Sequence, residues 1–317
     1  MKAAIVEQAG RPPVFGDFAE PVAAPGLRVV RVSASAISHV TKGRASGAHY
    51  SADGSLPLVP GMDGVGVDED GRRVYFILPE APFGAMAQRS LVDARRCIAL
   101  PDGLSDTDAA ALAIPGMSSW AALVERAGLR AGETVLVNGA TGASGRLAIQ
   151  VAKHLGAKRV IATGRNAAAL AGLRALGADA TIALTPDRDA LEQAVKAEFR
   201  QGVDVVLDYV WGPSAEALIA AGAKAGPQAV PIRYVQIGAI SGADITLPGA
   251  ALRSSALQLM GSGIGSIAQI RMLAALRGVL EAAPAAGFKV ATQVRPLAEV
   301  GDAWDAGDAQ SRIVLVP

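Results

Sequence analysis

The segment "VLVNGATGASGRLAIQVAK" (residues 135–153) carries the most specific chemical signal in the chain. An apolar strand runs into Gly139, Gly142 and Gly145, and the spacing predicts a helix opening at the last of these. Read from Ala140, the pattern is A-x-G-x-x-G, with alanine at the first glycine position. Each small residue has a physical task. Gly142 lets the backbone approach a pyrophosphate, and Gly145 lets helix and strand pack closely. The helix N-terminus offers free N–H donors and a partial positive charge. A glycine pattern alone is weak, but a strand before it and a helix after it supply the confirming context. Asn138, Ala140, Thr141, Gly142, Ala143 and Ser144 are therefore candidate contacts to a dinucleotide.

The second strand of such a unit ends roughly 20 residues further on, where an Asp or Glu holds the ribose 2′-hydroxyl of NAD. Here the strand ends in "ATGRN" and no acid is present. Gly164, Arg165 and Asn166 stand in its place, and a guanidinium suits a 2′-phosphate. The alternatives are a solvated arginine at a helix start and an asparagine that only caps its helix. NADP(H) is favoured over NAD. Further candidates fall at the C-terminal ends of later strands, where ligands lie in open parallel sheets. They are Asp208 and Tyr209; Ile237, Gly238 and Ala239; and Gly261, Ser262 and Gly263.

Other chemistries find little support. A Tyr-x-x-x-Lys pair is absent, because Gly54, Pro79, Pro213 and Gly238 stand four residues after the four tyrosines. Ser144 lies inside the nucleotide turn rather than in a hydrolase elbow. His154 falls on the amphipathic helix as a surface residue, His39 and His49 have no evident partners for zinc, and the single cysteine, Cys97, builds neither a disulfide nor a cysteine cluster. No metal site is expected.

The elements that position these residues follow from patterning. Residues 27–37 alternate like a strand, and residues 68–78 read as a turn at Asp70-Gly71 followed by a strand. Beyond residue 115, apolar strands at 133–139, 159–164, 180–184, 203–210, 233–240 and 256–262 alternate with helical periods, including 145–156, 167–177, 187–200 and 213–223. That alternation predicts a doubly wound parallel sheet in an α/β protein. Residues 266–317 add one helix and short strands, too few for a third domain, and are expected to complete the first. The expected domains are 1–116 with 266–317, mostly β, and 117–265, dinucleotide-binding. With 30 basic and 29 acidic residues, no basic block and 4% aromatics, neither nucleic acid nor membrane is an expected partner. The N-terminus lacks a signal-peptide core, so a cytoplasmic location is expected.

The whole chain resembles the medium-chain dehydrogenase/reductase superfamily, most closely its zinc-free quinone oxidoreductase branch. The motifs are "PLVPGMDGVG", "DGRRVYF", "LPDGLSDTDAAALAIPGMSSWAAL", "VNGATGASGRLAIQVAKHLGA" and "LGAD". The resemblance implies a Rossmann domain inserted in a GroES-like β domain, and often a homodimer. Where zinc-dependent relatives carry P-G-H-E-x-x-G, this chain has Pro60, Gly61, Met62, Asp63 and Gly66; where they carry a cysteine ligand it has Ser38. Two ligands are thereby lost, and without a Lewis acid the acceptor must spread charge by conjugation. The expected reaction is hydride transfer from NADPH to a quinone or α,β-unsaturated carbonyl. By the same resemblance Tyr50 would orient substrate or supply a proton, Ser38 would hydrogen-bond the ligand, and Met117 and Ser118 would line the substrate cleft. A non-catalytic NADPH-binding redox sensor and, more remotely, a zinc alcohol dehydrogenase are the competing readings.

Overall fold

The computed structural model describes residues 1–52, 56–185, 187–306 and 311–317. The chain divides into two compact units, Met1–Ile114 with Leu280–Pro317, and Pro115–Val279. Along the first piece run β1 (Lys2–Ile5), β2 (Val14–Asp17), β3 (Leu27–Ala36), α1 (His39–Ala45), β4 (Asp63–Val67), β5 (Arg73–Ile77), β6 (Arg89–Asp93), β7 (Cys97–Ala99) and α2 (Asp106–Ala121). The middle carries β8 (Thr134–Asn138), α3 (Ala143–His154), β9 (Arg159–Gly164), α4 (Ala167–Ala171), β10 (Ala180–Ala183), α5 (Arg188–Arg200), β11 (Val205–Asp208), α6 (Gly212–Ala225), β12 (Ile232–Gln236), α7 (Gly249–Arg253) and β13 (Leu257–Gly261). The chain closes with α8 (Gln269–Ala286), β14 (Ala291–Pro296), α9 (Val300–Ala306) and β15 (Ser311–Val316). Among the described residues no helix is long and apolar enough to cross a membrane.

In the first unit a seven-stranded, mostly antiparallel sheet runs β14-β15-β3-β4-β5-β7, with β6 also on β3. The C-terminal strand β15 pairs antiparallel with β3, Val314 against Ala36, which joins the two sequence pieces in one sheet. Val6, Ile37, Met86, Val300, Trp304 and Ile313 form one buried cluster of this unit.

The second unit is a six-stranded sheet in the order β10-β9-β8-β11-β12-β13. Every pairing is parallel. This doubly wound order reverses between β8 and β11, the switch point where such sheets bind ligands. Its strands are short apolar runs because helices cover both faces. Between them α3 buries a stripe of Leu147, Ala148, Val151 and Ala152, and ends before Gly156, whose φ of 93° no side-chain-bearing residue adopts cheaply.

Several boundaries differ from the sequence expectation. Helix α3 opens at Ala143, with Gly142 as its N-cap, rather than at Gly145. The strand expected over 233–240 ends at Gln236, opposite Asp208 of β11, because its neighbour has no further residue to pair. The two units part inside α2, after Ile114, and inside α8, after Val279, where the sequence expectation is 116/117 and 265/266; both helices run on across the boundary.

Candidate functional site

In the second unit the loop after β8 is pinned from two directions. Gly139 N–H donates to Thr163 Oγ1 at 3.1 Å and Ala140 N–H to the Thr163 carbonyl at 2.8 Å, which ties the turn to β9. On the other side, a Cβ added to Gly145 would lie 2.5 Å from Ala140 Cα, so α3 rests directly on the turn. Gly142, Ala143 and Ser144 then open a helix of 12 residues whose first N–H groups have no partner within the helix. No side chain caps them. The arrangement fits a dinucleotide phosphate: free donors, a helix dipole, and a backbone without side-chain cover at Gly142.

Asn138 and Asp208 lie at the ends of β8 and β11, and their side chains are committed to a buried hydrogen-bond network. Both are fully buried. Asp208 Oδ1 accepts from Asn138 Nδ2 at 2.8 Å, Val210 N–H at 2.8 Å and Trp211 N–H at 3.0 Å. Its Oδ2 accepts from the Tyr234 hydroxyl at 2.6 Å. Asn138 Oδ1 accepts from Thr163 Oγ1 at 2.7 Å, and its Nδ2 also reaches Ser214 Oγ at 3.0 Å. A buried carboxylate so satisfied is a structural anchor. It fixes the loops after β8 and β11, including Trp211 with its positive φ of 59°. The side chains of Asn138 and Asp208 thus hold the loops after β8 and β11. Their positions in the sequence suggest direct contacts, and nothing in the sequence points to Thr163, Ser214 or Tyr234; only the strand order brings these side chains together.

At the end of β9, Gly164 is buried while Arg165 and Asn166 are exposed. Asn166 Oδ1 accepts from Ala169 N–H at 2.9 Å, so this side chain caps α4. Ile237 and Gly238 follow β12, their N–H groups both donating to the Asp208 carbonyl at 2.7 and 3.1 Å, and Ala239 is exposed just beyond. Gly261 ends β13 and its carbonyl accepts from Arg126 Nε at 2.7 Å. Ser262 N–H donates to the Gln236 carbonyl at 2.8 Å, and Gly263 N–H to Ser266 Oγ at 2.8 Å. Tyr209 buries its hydroxyl without a hydrogen-bond partner. Burial raises this phenol's pKa, with Ser118 and Ser119 acting against the rise. Met117 and Ser118 are half-buried on α2, past Pro115, and Ser118 Oγ donates to the Pro115 carbonyl at 2.8 Å.

The first unit holds the other candidates. Ser38 is buried and caps α1: its Oγ accepts from Thr41 N–H at 3.0 Å and lies 2.9 Å from Thr41 Oγ1. Its hydroxyl is thus already engaged. His39 is exposed beside it, and lost hydration, Lys42 and Arg312 lower its pKa. Tyr50 is 72% exposed and stacks on His49 with ring centroids 4.2 Å apart.

Met62 and Asp63 are buried, and Asp63 opens β4. Asp63 Oδ2 accepts from the Tyr75 hydroxyl at 3.0 Å, while Oδ1 has no partner. Arg312 in β15 is the opposing charge, with Nε and Nη2 also buried and unpartnered. Burial pushes the Asp63 carboxyl up to about 7 against the pull of Arg312 and Tyr75. In the sequence Asp63 reads as a structural turn or strand-end residue, and it does open β4; neither Tyr75 nor Arg312 carries a signal there.

A thioether at Met62 and a committed hydroxyl at Ser38 do not fit a zinc ion, which takes thiolate, imidazole or carboxylate ligands. Among the described residues no group of three or more His, Cys, Asp or Glu is placed to hold a metal.

Residues 143–278 match the family model described as zinc-binding dehydrogenase. A probable NADPH-dependent quinone reductase of Emericella nidulans is 30% identical, over 100% of both chains. A 2-methylene-furan-3-one reductase of Solanum lycopersicum is 33% identical over 52% of this chain and 48% of its own length. Among solved structures, the quinone oxidoreductase of Thermus thermophilus, determined also in complex with NADPH, superposes with a TM-score of 0.83 at 30% identity, covering 100% of each chain. The chain belongs to the medium-chain dehydrogenase/reductase superfamily, in its quinone-reductase-like branch.

Proposed function

We propose that this chain is an NADP(H)-dependent oxidoreductase that reduces a quinone or an α,β-unsaturated carbonyl without a metal. The observation that carries the reading is the end of β9, where Gly164 and Arg165 stand in place of an acid, beside the pinned loop 139–142 and the uncapped start of α3. An NADPH-dependent quinone reductase and an enone-type reductase among its relatives support the same substrate class.

Bound NADPH would supply the hydride. The chain's part is placement. Thr141, Gly142, Ala143 and Ser144 present backbone donors to the diphosphate, and Arg165 meets the 2′-phosphate. Gly238, Ala239 and Gly261 to Gly263 border the dinucleotide at the strand ends. With Ser38 and Met62 at the old ligand positions, no Lewis acid polarises a simple carbonyl, so a conjugated acceptor is required. Tyr50, exposed and carrying a hydroxyl, orients that acceptor or delivers a proton, and Met117 and Ser118 contact the acceptor. A second copy of the chain pairs with the open edge of β13, where Leu259 is exposed; sedimentation equilibrium that returns only a monomer would contradict this.

Two substitutions test the reading together. Arg165→Ala should weaken NADPH binding about tenfold or more while leaving NADH binding unchanged. Tyr50→Phe should lower kcat and leave NADPH affinity as it was. Equal affinity for the two cofactors in the parent protein, untouched by Arg165→Ala, would refute the 2′-phosphate role.

A further inference from the structure

Resting on the nucleotide site proposed above, we infer that Thr141 is a second determinant of cofactor choice: its side chain fills the space that an acid at the end of β9 would need. Gly164 is the last residue of β9 and is buried. A Cβ built on it lies 2.5 Å from Thr141 Cγ2, 3.2 Å from Leu170 Cδ2 and 3.4 Å from Thr141 Oγ1. The strand end is where a dinucleotide site that accepts the 2′-hydroxyl places its Asp or Glu. This chain therefore lacks the acid and also lacks room for one at position 164.

Neither Thr141 nor its loop can easily yield. Thr141 is β-branched: one χ1 turn brings its hydroxyl into that space, and the other turns in the Cβ hydrogen but leaves the methyl where Oγ1 now lies, 3.4 Å from the same point. The loop cannot withdraw, because Gly139 and Ala140 are hydrogen-bonded to Thr163, the residue preceding Gly164. Thr163 is itself held by Asn138, and Asn138 by Asp208. On the far side, Gly145 of α3 stands against Ala140. Thr141 and Gly164 are thus fixed at one separation by backbone hydrogen bonds and a buried side-chain network, and a larger side chain at either position requires a smaller one at the other.

The test is a set of four proteins: the parent, Thr141→Ala, Gly164→Asp and the double variant. Each is titrated with NADPH and with NADH, and its thermal stability is measured. Thr141→Ala should fold and keep the parental order of affinities. Gly164→Asp should lose NADPH affinity, gain none for NADH, and melt at a lower temperature or fail to fold. The double variant should recover stability and bind NADH about tenfold more tightly, relative to NADPH, than Thr141→Ala does. If Gly164→Asp alone folds normally and prefers NADH, Thr141 is not a determinant. The same holds if the double variant shows no relative gain for NADH. A parent that binds neither cofactor would overturn the nucleotide site itself, and this inference with it.

Discussion

Gly145→Ala should abolish tight NADPH binding and destabilise the protein by about 3 kcal/mol, the upper end of what overpacking costs. Intrinsic propensity points the other way, since alanine is favoured over glycine in a helix by about 1 kcal/mol. Geometry decides the sign. The added Cβ would lie 2.5 Å from Ala140 Cα and 2.5 Å from the Gly139 carbonyl oxygen, both backbone atoms of the pinned turn. No side chain can swing aside, so either α3 lifts off the sheet or the turn moves and carries Thr141 and Gly142 with it. Gly172 provides the control. It has a φ of −69° and nothing within 4 Å of where a Cβ would sit, so Gly172→Ala should be neutral or slightly stabilising. Denaturant unfolding and NADPH titration of both variants check the pair. A Gly145→Ala protein as stable and as tight-binding as the parent would show that α3 does not rest on the turn.

Asp63→Asn should flatten the dependence of stability on pH. An unfolded aspartate titrates near 3.9, and burial pushes Asp63 up to about 7 in the folded protein. The folded state then holds this proton more tightly than the unfolded state. Its contribution to stability is complete below about pH 4 and is lost as pH rises to about 7. Across that window the loss amounts to about 4 kcal/mol, at 1.36 kcal/mol per pH unit. The amide of the variant has no proton to lose, so the difference in melting temperature between variant and parent should grow in the variant's favour from about pH 4 to about pH 7.5. Arg312 limits the gain, because the variant leaves that buried guanidinium without its opposing charge at high pH. Carboxylates held below their ordinary range, such as Asp93 beside Arg95, titrate in both proteins and cancel in the difference. Parallel melting curves across the range would mean that Asp63 does not titrate in this window.

Much of the second unit is legible in the sequence because its information is local. A buried strand such as "TVLVN", a glycine turn and an amphipathic helix each declare themselves within a dozen residues, and their alternation implies the parallel sheet. The nucleotide turn is readable for the same reason. What stays hidden depends on register between distant segments. Asp208 meets Asn138 because β11 pairs with β8, and Tyr234 reaches Asp208 because β12 pairs with β11. Asp63, Tyr75 and Arg312 converge only when β15 has closed onto β3 and β4 has paired with β5. Ser38 illustrates a different limit. Its place is legible, but its engagement with Thr41 depends on where α1 begins. Thr141 reads in the sequence as a loop residue near a phosphate; its contact with Gly164 requires the parallel pairing of β8 with β9.

Turnover without metal is the decisive observation. The protein is treated with a strong chelator, its zinc content is measured, and NADPH oxidation is followed with a panel of quinones, enones, simple aldehydes and ketones. The expected result is NADPH oxidation by one or more conjugated acceptors at undiminished rate with no stoichiometric zinc, and none with the simple carbonyls. Activity that disappears on chelation and returns with zinc would contradict the metal-free mechanism. Tight NADPH binding with no turnover on any acceptor would contradict the reductase and favour a sensor.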